Sequence, residues 1–100
     1  MQDLDLENNQ LWGEIPAALG ALIHLQGLFL RNNVFSGTLP QDLEHLQHLR
    51  FLYLSGNHFS LPLPDWIVTL PDLWEIKLDR PGSGSLLSRG LSMSSLVSED

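Results

Sequence analysis

One hundred residues with 43% apolar content make one small domain with little room for a second. Five Lys and Arg against 12 Asp and Glu give a formal charge of −7 and leave no basic stripe to release counterions from a phosphate backbone, which argues against nucleic-acid binding. Without cysteine there is no disulfide, thiol nucleophile or Cys-ligated metal site.

The predicted elements run as one motif used repeatedly. The chain starts Met1-Gln2-Asp3-Leu4-Asp5, which has neither a basic n-region nor an apolar h-region, so no signal peptide is visible. Leu4 and Leu6 alternate with Asp3, Asp5 and Glu7, the period of a half-buried strand whose acids discourage edge-to-edge pairing. Asn9, Leu11, Gly13 and Ile15-Pro16 follow, then Leu19, Leu22 and Leu25 at the three-residue spacing of a short helical or 3₁₀ return. The cycle restarts at Leu28 and Leu30, passes Asn33, Phe35, Gly37 and Leu39-Pro40, and returns through Leu43, Leu46 and Leu49. A third cycle reads Leu52, Leu54, Asn57, Phe59, Leu63-Pro64, Ile67, Leu70 and Leu73, and a fourth opens with Ile76 and Leu78. The period is 24 residues, and it accounts for 23 leucines in 100.

Two places break the template. Leu61 stands where Gly13 and Gly37 stood, and Pro62 is added, so a second small strand is expected to be missing from that turn. Pro81 replaces the asparagine of the cycle, and residues 82–100 hold seven serines. Leu87, Leu91 and Val97 still fall on the 24-residue columns. The expected division is therefore repeats over 1–79 and, over 80–100, a degenerate half-coil fading into a disordered Ser-rich tail. Met1 occupies the column of Leu25, so the chain is expected to open partway through a coil, as a fragment of a longer solenoid or as a small chain pairing its open end with a partner. Uncapped ends leave self-association open. The least charged stretch, 16 residues between Glu14 and Arg31, is too short and polar for a membrane span.

The unit L-x-x-L-x-L-x-x-N-x-L/F-x-G-x-I/L-P-x-x-L-x-x-L, seen from Leu25 through Pro40, resembles the plant-type leucine-rich repeat. The resemblance implies an α/β solenoid: a right-handed coil of about three and a half repeats with a short parallel β-sheet on its concave face. It implies a non-catalytic module that binds a protein or peptide ligand, or a co-receptor, as part of a receptor-like ectodomain at the cell surface. An inhibitor of cell-wall-degrading enzymes shares the repeat, and a structural segment without a ligand of its own is the remaining alternative. Asn9, Asn33 and Asn57 are expected to bond backbone groups of their turns, with their stacked side chains forming a ladder between coils.

Carried onto this chain, the outward positions of the concave strands are Asp3, Asp5, Glu7 and Asn8; Gly27, Phe29, Arg31 and Asn32; Phe51, Tyr53, Ser55 and Gly56; and Glu75, Lys77, Asp79 and Arg80. The candidate partner-binding residues are Phe29, Arg31, Phe51 and Tyr53 at the centre, with Asp5 and Lys77 on the flanks. Aromatic rings beside arginine within a polar rim are the usual composition of a binding hot spot. No cofactor or metal is expected. Glu44, His45 and His48 form E-H-x-x-H, which lacks the i, i+4 histidine pair of a zinc protease, and neither G-x-S-x-G nor the kinase motifs occur. His24, His48 and Asp72 share a column and are expected to stack on the outer return. Trp12, Trp66 and Trp74 fall off the template and are expected half-buried or lateral, in structural roles, with Trp74 shielding the last coil.

Overall fold

A computed structural model describes residues 2–60 and 63–78 with their side chains, and the backbone of 97–99. Among the described residues there are eight strands: β1 (Gln2–Asp5), β2 (Trp12–Gly13), β3 (Leu25–Phe29), β4 (Val34–Gly37), β5 (Phe51–Tyr53), β6 (His58–Phe59), β7 (Glu75–Leu78) and β8 (Val97–Glu99). They form two parallel sheets, one of five strands in the order β1-β3-β5-β7-β8 and one of three in the order β2-β4-β6. Each of the first three coils thus contributes one strand to the large sheet and a shorter one to the small sheet.

The register follows from the period. Leu28 pairs with Leu52 and Leu52 with Ile76, while Asp5, Phe29, Tyr53 and Lys77 line up across the first four strands of the large sheet. A one-residue slip would turn every leucine of a strand toward solvent, so burial on one face locks the alignment. Between β7 and β8 the step shortens. Ile76 pairs with Val97, 21 positions on, where the 24-residue columns would set Asp100.

The outer returns are 3₁₀ turns: Ala17–Ala21, Gln41–His45 and Asp65–Thr69. Each is preceded by an extended proline, Pro16, Pro40 or Pro64, with φ between −71° and −63°. The leucine spacing is also the hydrogen-bond spacing. Leu19 N–H donates to Pro16, Leu22 to Leu19 and Leu25 to Leu22; the second coil repeats this from Pro40 to Leu49 and the third from Pro64 to Leu73. With three residues per turn, one face therefore turns the column at three-residue spacing toward the core. Leu28, Leu30, Leu43, Leu46, Leu49, Leu52, Ile67 and Ile76 are the large side chains fully enclosed between the sheets and the returns. Burying each contributes about 1.5–3 kcal/mol.

Two asparagine columns organise the turn after each large-sheet strand. Asn33 Nδ2 donates to the carbonyls of Leu6, Leu30 and Arg31, while its Oδ1 accepts the Leu11 N–H at 3.2 Å. Asn57 repeats this one coil on, donating to Leu30, Leu54 and Ser55 and accepting from Phe35. Asn9 donates to Leu6 and Glu7 within its own turn. The ladder therefore passes from coil to coil through the backbone. Direct side-chain bonding belongs to the preceding column, where Asn32 Nδ2 donates to Asn8 Oδ1 at 2.9 Å. Asn8, Asn32 and Gly56 all have φ between 62° and 74°, the left-handed turn for which Asn and Gly are suited.

The small sheet corrects one expectation. β6 persists in the third coil, pairing Ser36 with His58 and Gly37 with Phe59, and the Ser60 N–H donates to Gly37 at 2.8 Å. Those backbone groups precede Pro62, so the missing proline N–H does not touch the pairing. Of the expected half-coil and tail over 80–100, residues 80–96 and 100 lie outside the described residues, as do Leu61 and Pro62, while Val97–Glu99 form β8.

Candidate functional site

Strand alternation turns Phe29 and Tyr53 away from the leucine core, and the register sets them side by side on β3 and β5. Their rings meet edge to face at 4.8 Å, and Phe51 joins Tyr53 at 6.3 Å in a second edge contact. Gly27 has no side chain to hold the Phe29 ring off the sheet. A Cβ added there would stand 2.6 Å from the ring and 2.6 Å from Asp3 Oδ1, so ring and carboxylate both lean over the glycine.

Charges bracket these rings. Arg31 forms a two-point ion pair with Glu7, Nε to Oε2 at 2.8 Å and Nη2 to Oε1 at 3.2 Å, and its Cζ lies 5.1 Å from the Tyr53 centroid. Lys77 Nζ lies 4.7 Å from the same centroid. The Tyr53 hydroxyl donates to Glu75 Oε1 at 2.7 Å. Burial first, then the Glu75 carboxylate, pushes the phenol up to about 12 from 10.0, while Arg31 opposes the shift. Asp5 lies opposite Phe29 on β1, and its Oδ1 accepts the Glu7 N–H. Phe29, Arg31, Phe51, Tyr53 and Lys77 thus form one connected surface, with Asp5 at its acidic edge.

Two members of this surface lie outside the expected set. Trp74 is 62% exposed, its ring 5.9 Å from Phe51. Arg50 lies over both, with Cζ 5.6 Å from the Phe51 centroid and 5.4 Å from that of Trp74. The Arg50 carbonyl accepts the N–H groups of both Trp74 and Glu75. That is a bulge at the start of β7, and a bulge re-aims a side chain. Simple alternation assigns Glu75 outward and leaves Trp74 unplaced; the two-residue gap in L-x-x-L was the signal that such a bulge fits.

Other expectations are corrected. Trp74 is exposed and does not shield the last coil, and Trp12 on β2 is 83% exposed; only Trp66 packs against the core. Ser55 is buried and so not an outward position, whereas Asn8, Asn32 and Gly56 are exposed and take the left-handed turn. Asp79 and Arg80 lie outside the described residues. On the outer return His24 and His48 stack with centroids 6.2 Å apart, and His48 Nδ1 is 3.8 Å from Asp72 Oδ2. No group of three or more His, Asp or Glu among the described residues is placed to hold a metal ion. No described helix is long and apolar enough to cross a membrane.

Comparison with known proteins matches this geometry to a family. The family model described as leucine rich repeat matches residues 1–59. No curated protein matches the chain. Among solved structures, the leucine-rich-repeat ectodomain of the receptor kinase SOBIR1 from Arabidopsis thaliana is similar, with 23% identity and a TM-score of 0.51. The match covers 98% of this chain and 60% of that one, so the chain spans less than two thirds of the ectodomain it matches. At that identity the likeness is one of fold. With a family pattern over more than half the sequence, and parallel strands stacked at its 24-residue period, the chain belongs to the leucine-rich-repeat family.

Proposed function

We propose that the solvent face of the large sheet binds a protein or peptide without catalysing a reaction, as a stretch of a receptor-like ectodomain reading an extracellular ligand or co-receptor. The observation that carries this reading is the continuous contact of Phe29, Tyr53, Phe51 and Trp74, with ring centroids 4.8–6.3 Å apart, on an otherwise polar face. Rings that rest on one another are pre-ordered, so a partner immobilises little on docking. Arg31 and Lys77 over Tyr53 and the acids of β1 supply the polar rim. The similar ectodomain of a receptor kinase supports the setting.

The test is a selection of random peptides displayed on phage against the full chain, repeated on the double variant Phe29→Ala with Tyr53→Ala. Neither ring belongs to the buried core, so the variant is expected to keep its circular dichroism spectrum and lose the selected binders. Binders that hold equally well to the folded double variant would move the site to the lateral or outer surface.

A further inference from the structure

The large sheet's solvent face has an acidic edge on β1 and an arginine beside the start of β5, with Glu75 of the next strand held by the Tyr53 hydroxyl. On β1, Asp3 and Asp5 are exposed; the third acid of that side, Glu7, is already engaged by Arg31. Two strands away stands Arg50, whose guanidinium is covered by the rings of Phe51 and Trp74 and has no carboxylate partner among the described residues. The two arginines of this face are therefore in different states. Arg31 spends its fork on Glu7. Arg50 rests beside two rings and makes no such pair, which leaves its N–H groups for a carboxylate. Contact with both rings limits the guanidinium's freedom, so less is lost when an acid arrives.

We infer that this face takes an extended peptide segment of opposed charge, with a Glu or Asp side chain on Arg50, a Lys or Arg side chain over Asp3 and Asp5, and an apolar side chain between them on Phe29 and Phe51. The inference rests on the sheet face being the binding surface. Asp3, Gly27 and Phe51 share one row of the sheet, so Asp3 and the Arg50 corner are two strand spacings apart, about 9–10 Å. An extended chain covers that distance in about three residues, which puts the partner's two charges about three or four positions apart. Either charge alone gains one contact and meets repulsion at the other end of the row. A neutral sugar that uses only Trp74 leaves Arg50 and both aspartates unmatched.

Peptides selected on the full chain are expected to enrich a Lys or Arg about three or four positions from a Glu or Asp, with an apolar residue between. A synthetic peptide of that consensus, followed by fluorescence anisotropy, is expected to weaken about tenfold or more on Arg50→Glu. Changing the peptide's own acid to lysine should restore the affinity of that variant, a rescue that loss of fold cannot produce. Arg50→Lys should weaken binding several-fold, because an ammonium lacks the planar fork. Consensus peptides without paired charges, or unchanged affinity in Arg50→Glu, overturn the inference. The binding-face reading survives that result if the Phe29→Ala, Tyr53→Ala variant still loses binding, and falls if it does not. Selections that yield no peptide, with a neutral oligosaccharide bound at Trp74, also overturn it.

Discussion

The first and second coils carry nearly the same apolar template, yet they are buried to very different degrees. Leu22 is 43% exposed where its counterpart Leu46 is fully enclosed, and Leu11 is 39% exposed where Phe35 is 6%. Leu4 and Leu6 are partly buried, whereas Leu28 and Leu30 are sealed. The side chains differ little; the neighbours differ. The second coil has coils on both sides, while the first is described with a neighbour only through β3, β4 and the second return. Burial in a solenoid is a property of the stack, and a leucine gains its full transfer free energy only when sandwiched.

The most direct way to break the comparison is to truncate both members of one column. Leu46→Ala should cost about 2–5 kcal/mol, since it opens a cavity between enclosed returns. Leu22→Ala should cost about 1 kcal/mol or less, because much of that side chain is already in water. Urea midpoints of the two variants measure the difference; equal losses would mean that the first coil is covered in solution. A second break acts where the two returns touch. Gly20 is buried, and a Cβ there would collide with the Asp42 carbonyl oxygen and lie 2.7 Å from the carbonyl carbon. Backbone cannot rotate away as a side chain can, so Gly20→Ala should destabilise the chain by about 1–3 kcal/mol. A melting temperature unchanged from the parent would show that the returns separate freely.

The polar columns sharpen the same contrast with a smaller effect. Asn33→Ala removes the acceptor of Leu11 N–H and the donor to the Leu6 and Leu30 carbonyls, groups that bridge two coils, at an expected cost of about 1–3 kcal/mol. Asn9→Ala removes two bonds inside one exposed turn and should cost about 0.5 kcal/mol. Amide exchange at Leu11 reports the difference locally. It should accelerate in Asn33→Ala and stay unchanged in Asn9→Ala.

Much of this architecture is legible in the sequence because its period is also its geometry. Leu43, Leu46 and Leu49 sit three apart, each bonded to the residue three before it, so one spacing encodes both burial and the 3₁₀ turn. Phe29, Phe51 and Tyr53 are legible as outward for the same reason, strand alternation beside a fixed leucine. What the pattern conceals is whatever depends on a neighbouring coil. Trp74 and Arg50 reach the aromatic surface through a bulge that alternation does not count. Arg31 reads as an open charge at the centre until the coil repeat brings Glu7 to its fork from the coil before. Exposure of Leu22 is invisible for a like reason, since its own coil looks complete.

The finest test separates Tyr53 from Phe29, its neighbour in the same row, because only the phenol couples to the charges around it. Tyr53 is the single tyrosine of the chain, so tyrosinate absorbance reads this group alone. Folding raises its pKa from 10.0 to about 12, through burial first and the Glu75 carboxylate second. The fold therefore prefers the protonated phenol. Its contribution to stability is complete below pH 10 and is lost as pH rises from about 10 through about 12. Arg31 favours the phenolate, whereas Glu75 and Glu7 disfavour it. The Glu75→Gln variant should accordingly titrate below the parent, and still above 10 because the burial is kept. A parent midpoint near 10 in the folded chain would mean that Tyr53 OH is solvated and its bond to Glu75 does not persist. The aromatic centre would then be looser than a pre-ordered docking surface requires.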